Sequence, residues 1–404
     1  MSQRIGNALI GQSGGPTAVI NQSLVGVIES CMAAPEIGSV FGALRGVQGI
    51  LDENLINLGL ENPADLDRVA RTPCAALRSV RKKPTEEECE RMLDVMEAHD
   101  VRFFFYIGGN DSAETAFLLN RAAVARKYEL KLFHVPKTID NDLMDTDHCP
   151  GYPSAAKFVA QAFMGDNEDN RSLGGVKINV VMGRHAGWLT AASALAREGN
   201  GAAPHLIYLP ERDFCIDAFQ DQVADAMDQH GRCVIAVSEG IHDSEGHFIQ
   251  KSRSVDAHGN VQLSGTGALG DLLADRVRAC VGINTRIRAD TFGYLQRSFF
   301  GVYSRQDALE AREVGRHAVR VALEDKVPHG SLIIRRAGTL AKYAVAYGVT
   351  VLENVAQKTK VMPEQYLSGD HDVSPAFLDY LRPLVGDLPK IGRLSDLPVP
   401  RLLS

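Results

Sequence analysis

Lys137, Thr138, Asp140 and Asp142 stand together in the run Pro136 to Asp142. The lysine supplies a mobile positive charge and the threonine a hydroxyl. The two aspartates supply carboxylates that share a face if the segment is extended, since side chains two apart point the same way. Such a set suits transfer of a phosphoryl group to an alcohol: a carboxylate takes the hydroxyl proton while cations balance charge on the transferring group. Asp and Asn also gather in solvated turns after strands, so the run alone leaves both readings open.

The apolar residues Leu132 to Val135 predict a short buried strand that delivers this run into a cleft. Two other strand ends carry glycines. Ile5 to Ile10 leads into Gly11, Gln12, Ser13, Gly14, Gly15 and Pro16, after which Val19, Ile20, Leu24, Val27 and Ile28 recur at helical spacing. Backbone N–H groups in such a loop approach an anion closely, and the helix adds the positive end of its dipole. The loop is neither a Walker A sequence nor a Gly-x-Gly-x-x-Gly loop, and a plain tight turn would also carry a glycine pair. Val101 to Ile107 is nearly all apolar, as in a central parallel strand, and ends in Gly108, Gly109, Asn110, Asp111 and Ser112 before another helical pattern. Two such loops in one sheet lie side by side at its carboxyl edge, where open α/β sheets bind ligands. The basic run Leu77 to Lys83, with Arg81, fits a solvated loop or a guanidinium set over a phosphate.

Further strands are predicted at Ser39 to Leu44, Val176 to Val181, His205 to Leu209, Cys233 to Val237 and Thr285 to Asp290. Gly46 to Leu51 reads as a glycine-punctuated turn and Asp243 to Leu263 as an exposed hairpin. Helices are expected at Asp65 to Ala70, Thr85 to His99, Gly267 to Val281 and Ser304 to Leu323, with Thr85 as a cap. Leu332 to Arg335 and Tyr343 to Tyr347 look like late strands open to either sheet, and the tail from Asp387 looks irregular. The fold class is therefore α/β, with two doubly wound domains facing across a cleft. Residues 1–150, completed by part of 296–345, form one domain; residues 151–295, completed by part of 346–404, form the other.

At 404 residues the chain exceeds one ordinary core. Its 45% hydrophobic and 23% charged residues are those of a globular protein. A formal charge of -7 argues against nucleic acid as a partner. The 7 cysteines never pair as Cys-x-x-Cys, which speaks against a zinc site or a disulfide framework. No apolar run is long enough to cross a bilayer, so no membrane partner is expected and the expected location is cytoplasmic.

Ser13, Gly14 and Gly15 before Asn21, the runs 108–112 and 138–142, Met182, Gly183 and Arg184, and Gly293, Tyr294, Leu295, Gln296 and Arg297 together resemble the 6-phosphofructokinase family, in its order, as far as about Ala322. The resemblance implies a kinase acting on fructose 6-phosphate. Family members use ATP or inorganic pyrophosphate, and ATP users commonly carry Gly where this chain has Asp111 and Lys137, so both positions imply pyrophosphate. Asp140 is then the general base, with Lys137, Thr138, Arg184 and Asp111 in the catalytic set. Gly14, Gly15, Arg81, Gly109, Asn110, Asp111, Ser112 and Lys137 would hold the donor. Thr138, Ile139, Asp140, Asp142, Met182, Gly183, Arg184, Glu239, Arg288, Tyr294 and Arg297 would hold the sugar phosphate. The implied cofactor is magnesium (Mg2+) at Asn110 and Asp142, although relatives often place Asp at the first of these. Tyr294 stands where many relatives have His, and where many place another arginine before Met-Gly-Arg this chain has Gly175, Val176 and Lys177. Some family arginines reach the site from a neighbouring subunit, which implies a homodimer or homotetramer with shared active sites. The competing readings are an ATP-dependent enzyme or a kinase of another sugar phosphate such as sedoheptulose 7-phosphate, a noncatalytic sugar-phosphate sensor, and an NAD or lipid kinase. The last lacks the later motifs from Met182 to Arg297.

Overall fold

The computed structural model describes residues 5–199, 201–250, 263, 267–282, 284–338, 342–395 and 397–400. Its first sheet forms around β4 (Val101–Gly108), in which Phe103, Phe104, Phe105, Tyr106 and Ile107 are all fully buried. A strand apolar on both sides needs cover on both faces, which parallel α/β winding provides. With β1 (Gly6–Gln12), β2 (Ile37–Ala43), β3 (Leu55–Asn57) and β5 (Lys131–Pro136), β4 belongs to a sheet of order β11-β10-β5-β4-β1-β2-β3. Here β10 is His329–Arg336 and β11 is Val345–Thr350. The interior strands run parallel, and only β3 and β11, at the two edges, run antiparallel. Both late strands thus return to the first sheet.

Helices Ile20–Ala33 and Arg305–Glu324 contribute to the core on one face of this sheet, and Glu86–Ala98 and Asn110–Arg126 to the core on the other. Thr85 caps Glu86–Ala98 through a capping box with Glu88. Gly46–Leu51, expected as a turn, is a short helix: Arg45 takes the left-handed conformation, φ 67°, and Gly46, Val47, Gly49 and Ile50 are buried.

The second sheet is fully parallel, of order β7-β8-β6-β9, from β6 (Gly175–Val181), β7 (Leu206–Tyr208), β8 (Arg232–Ser238) and β9 (Ile287–Thr291). Helices Ile216–His230 and Ala268–Val281 pack on one face, and Tyr152–Leu173 with the C-terminal helix Pro375–Val385 on the other. Most of the expected hairpin Asp243 to Leu263 lies outside the described residues. Among the described residues no helix is long and apolar enough to cross a membrane.

Candidate active site

The carboxyl ends of β1, β4, β5, β6 and β8 converge on one cavity of about 390 Å³. In the loop after β1, Gly14 adopts φ 77° and its N–H donates to the Val80 carbonyl at 3.1 Å, while Ser79 Oγ donates to the Gly14 carbonyl. A Cβ on Gly14 would stand 3.2 Å from Lys137 Nζ, and one on Gly15 would stand 3.2 Å from Arg297 Cζ. The glycines therefore admit two cations against the backbone. Helix Ile20–Ala33 starts well after the pair, so Gly14 and Gly15 stand ahead of its first turn rather than within it. The loop after β4 differs: Gly109 is the N-cap of helix Asn110–Arg126, placing Asn110, Asp111 and Ser112 at a true positive helix end. The hydroxyls of Ser112 and Ser13 meet at 3.0 Å and join the two loops.

Lys137 follows β5 and is 3% exposed, and its Nζ donates to the Gly15 carbonyl at 2.7 Å. Burial, then the Arg297 guanidinium, brings its ammonium down to about 7, against the pull of Asp140. Burial, then Asp140, raises Asp142 to about 7. Both carboxylates line the cavity, but not as neighbours on an extended segment. Asn141 between them takes φ 56°, a left-handed turn held by its own side chain, which accepts from Cys149 N–H and donates to Tyr380 Oη. Thr138 Oγ1 accepts from the Asp140 N–H at 3.1 Å.

From the second unit come Met182 and Arg184 after β6, Glu239 after β8, and Tyr294 with Arg297, whose Cζ lies 4.5 Å from the Tyr294 ring centre. Among the described residues, the buried Arg184 Nε has no hydrogen-bond partner. Burial lowers the Arg297 pKa. Arg81 also lines the cavity.

Three expected residues are not brought to this surface. Ile139 is 5% exposed and packs in the apolar core with Tyr152 and Trp188. Gly183, at φ 146°, shapes the turn behind Arg184 and accepts a hydrogen bond from Ser238 Oγ. Arg288 is exposed on β9, and its Nη1 donates to the Ile287 carbonyl at 2.9 Å. Lys177, on the adjacent β6, is engaged by Asp290 and Asp166. Conversely, sequence reading missed Gln357, Lys358 and Thr359, which line the cavity from an irregular C-terminal strap, and Ala186 and Leu263, while His185, whose sequence reading is an ordinary partly buried histidine rather than a base, lines it too. Gln357 Nε2 donates to Glu114, which also receives Lys83, so the strap is tied to helix Asn110–Arg126. The pair of lysines around Thr359 was its only signal, in a stretch without an apolar period.

Asn110 donates through Nδ2 to Asp142 Oδ2 at 2.8 Å, while its buried Oδ1 has no partner among the described residues. An orphaned amide oxygen beside a carboxylate is a hard-donor pair that fits a magnesium-like ion, which keeps water and substrate oxygens as its other ligands. Among the described residues no group of three or more His, Cys, Asp or Glu side chains could hold a metal.

The sequence pattern of the Phosphofructokinase family matches residues 7–322. The pyrophosphate–fructose 6-phosphate 1-phosphotransferase of Rhodospirillum rubrum is 50% identical, with 99% of each chain covered. The enzyme of the same name from Halomonas elongata is 36% identical over 98% of each chain. The crystal structure of a pyrophosphate-dependent phosphofructokinase from Nitrosospira multiformis superimposes with a TM-score of 0.86 at 33% identity, covering 99% of both chains.

Proposed function

Because this chain belongs to the phosphofructokinase family, we propose that it transfers a phosphoryl group reversibly from inorganic pyrophosphate to the 1-hydroxyl of fructose 6-phosphate, giving fructose 1,6-bisphosphate and phosphate. The observation that carries the donor assignment is Lys137, buried against the Gly15 carbonyl while Asp111 occupies the first turn of the facing helix. A nucleotide's inner phosphate there would meet a carboxylate and the lysine's bulk. A bare diphosphate instead receives the ammonium at the charge that develops during transfer.

In the forward direction Asp140 accepts the proton of the 1-hydroxyl as that oxygen forms a bond to phosphorus and the bridging oxygen of pyrophosphate departs with its electron pair. Thr138 and Asp142 orient the hydroxyl, and Lys137, Arg184 and the Gly14–Gly15 backbone balance charge on the transferring group. Arg81, Gly109, Asn110 and Ser112 complete the donor side. Met182, Glu239, Tyr294 and Arg297 hold the sugar phosphate. A divalent cation, magnesium in this reading, would be held by Asn110 Oδ1 and Asp142, and when bound it neutralises charge on the diphosphate oxygens.

Residues 1–150 with the late strands β10 and β11 serve as the donor domain. Residues 151–295 with the C-terminal helix serve as the acceptor domain. Arg288, exposed and outside its own cleft, reaches the sugar phosphate of a neighbouring copy in a homodimer or homotetramer. Exposed Tyr294, Leu295, Phe299, Phe300 and Tyr303 beside the cleft supply apolar surface for that association. The enzyme works in the cytoplasm.

The deciding experiment compares donors on purified protein with fructose 6-phosphate and magnesium. Turnover with pyrophosphate and little with ATP is expected, and equal use of ATP would overturn the donor assignment. Asp140→Asn should lower kcat by roughly a hundredfold to ten-thousandfold.

A further inference from the structure

Asn141 stands between the two cleft aspartates, fully buried and in a left-handed conformation. Asn tolerates that region better than most residues, but the conformation still has to be held by its surroundings. Part of the hold is local, since Asn141 Oδ1 accepts from Cys149 N–H at 3.0 Å. The rest comes from the far end of the chain. Tyr380, on the C-terminal helix, accepts from Asn141 Nδ2 at 3.0 Å, and its own hydroxyl donates to the Asp147 carbonyl at 3.0 Å. One hydroxyl thus ties both ends of the loop that carries Asp140 and Asp142.

The tyrosine is itself immobilised. It is 6% exposed, its ring packs 5.5 Å from that of Trp188, and Arg336 Cζ sits 4.7 Å over it. Arg336 also bonds Asp147 and the Tyr380 carbonyl. Ring packing alone is what any core tyrosine does. A hydroxyl bridging a left-handed turn and a carbonyl of the same loop has a more particular consequence: it fixes where the two carboxylates diverge. Lys360 braces the same loop, its N–H donating to the Asp142 carbonyl and its Nζ to those of Thr146 and Asp147.

We propose that Tyr380 is a positioning residue for the transfer reaction, its hydroxyl holding the Asn141 turn so that Asp140 and Asp142 face the substrates from fixed directions. This rests on the phosphoryl-transfer reading above. Substrates would still bind to Arg81, Arg184, Glu239 and Arg297 across the cavity, so loss of the clamp acts on the reacting geometry more than on affinity.

The test is Tyr380→Phe, which keeps the ring and removes the bridge, measured against Tyr152→Phe. The latter deletes another buried hydroxyl, one that donates to the Trp188 carbonyl at 3.1 Å rather than to the 140–147 loop. Tyr380→Phe should lower kcat roughly ten- to a hundredfold, with both KM values nearly unchanged, while Tyr152→Phe keeps kcat. Asn141→Gly, which retains the left-handed backbone without the side-chain bonds, should show the same split, and the double variant should be no worse than the poorer single one. It also serves if Tyr380→Phe fails to fold. Normal kcat in either single variant would overturn the clamp. Absence of pyrophosphate turnover in the unaltered protein would instead strike the functional reading itself.

Discussion

Among single residues, Lys137 carries the charge balance of the proposed transfer. Its ammonium, brought to about 7 by burial and by Arg297, is useful only when protonated. Pyrophosphate kcat/KM, which reports the free enzyme, should therefore fall as pH rises through about 7. Lys137→Arg, with a charge that persists at high pH, should abolish that alkaline fall even at a lower absolute rate; a profile across roughly pH 6 to 9 decides it, and an unchanged fall would assign it to another group. Lys137→Gly should cost roughly a hundredfold or more in kcat with pyrophosphate. Lys137 and Asp140 were legible in sequence because their types at a strand end suffice to suggest chemistry, whereas Asp111, Arg184 and Arg297 were singled out by the family resemblance; all five line the cavity. Gln357 to Thr359 were not, because a strap is placed by what it is tied to, here Glu114, and sequence spacing carries no trace of that contact. The left-handed turn at Asn141 was hidden for a similar reason: alternation predicts faces for an extended segment, and Tyr380 and Cys149, remote in sequence or beyond the run, bend it.

At the scale of elements, apolar runs made β4, β5, β6 and β8 readable, since a strand buried on both faces announces itself in composition. The helix Gly46–Leu51 was misread because its glycines suggest a turn, whereas they answer to packing: a Cβ on Gly49 would lie 2.0 Å from the Leu44 carbonyl oxygen. The same logic governs the crossing of helices Ile20–Ala33 and Arg305–Glu324. A Cβ on Gly26 would fall 2.2 Å from the Arg312 carbonyl oxygen, and one on Gly315 would fall 2.3 Å from that of Ser23. Each helix supplies a glycine so that the other's backbone can approach, and Arg312 closes the crossing by pairing with Glu29. Gly315→Ala should force the helices apart and destabilise the fold by roughly 1–3 kcal/mol. Chemical denaturation checks this, and an unaltered midpoint would show that the crossing relaxes freely.

At the scale of the whole molecule, the two units are joined through buried charge as well as apolar contact. Asp307, on helix Arg305–Glu324, accepts from the N–H groups of Gly151 and Ser154 at the start of helix Tyr152–Leu173. Beside it His148 is fully buried, with Nδ1 2.8 Å from Asp147 and Nε2 against Glu310. Arg336 pairs with Asp147, and Tyr343 Oη donates to Glu310 at 2.7 Å. Burial opposes the imidazolium, but the bonds to the two carboxylates prevail and raise His148 to about 9. Since the folded pKa exceeds the unfolded one, near 6.5, this stabilisation is complete below about 6.5 and is lost as pH rises through about 9. The shift corresponds to a contribution on the order of 3 kcal/mol. Thermal unfolding followed from neutral pH upward should therefore show Tm falling through that window, and His148→Gln should flatten the fall while lowering Tm at neutral pH. The loop anchored here is the one that carries Asp140 and Asp142, so the alkaline loss of stability should be accompanied by loss of kcat in the unaltered protein. A flat Tm profile with His148 present would mean that the imidazole carries no charge there and that the junction is held by packing, the Asp307 hydrogen bonds and the Arg336–Asp147 pair.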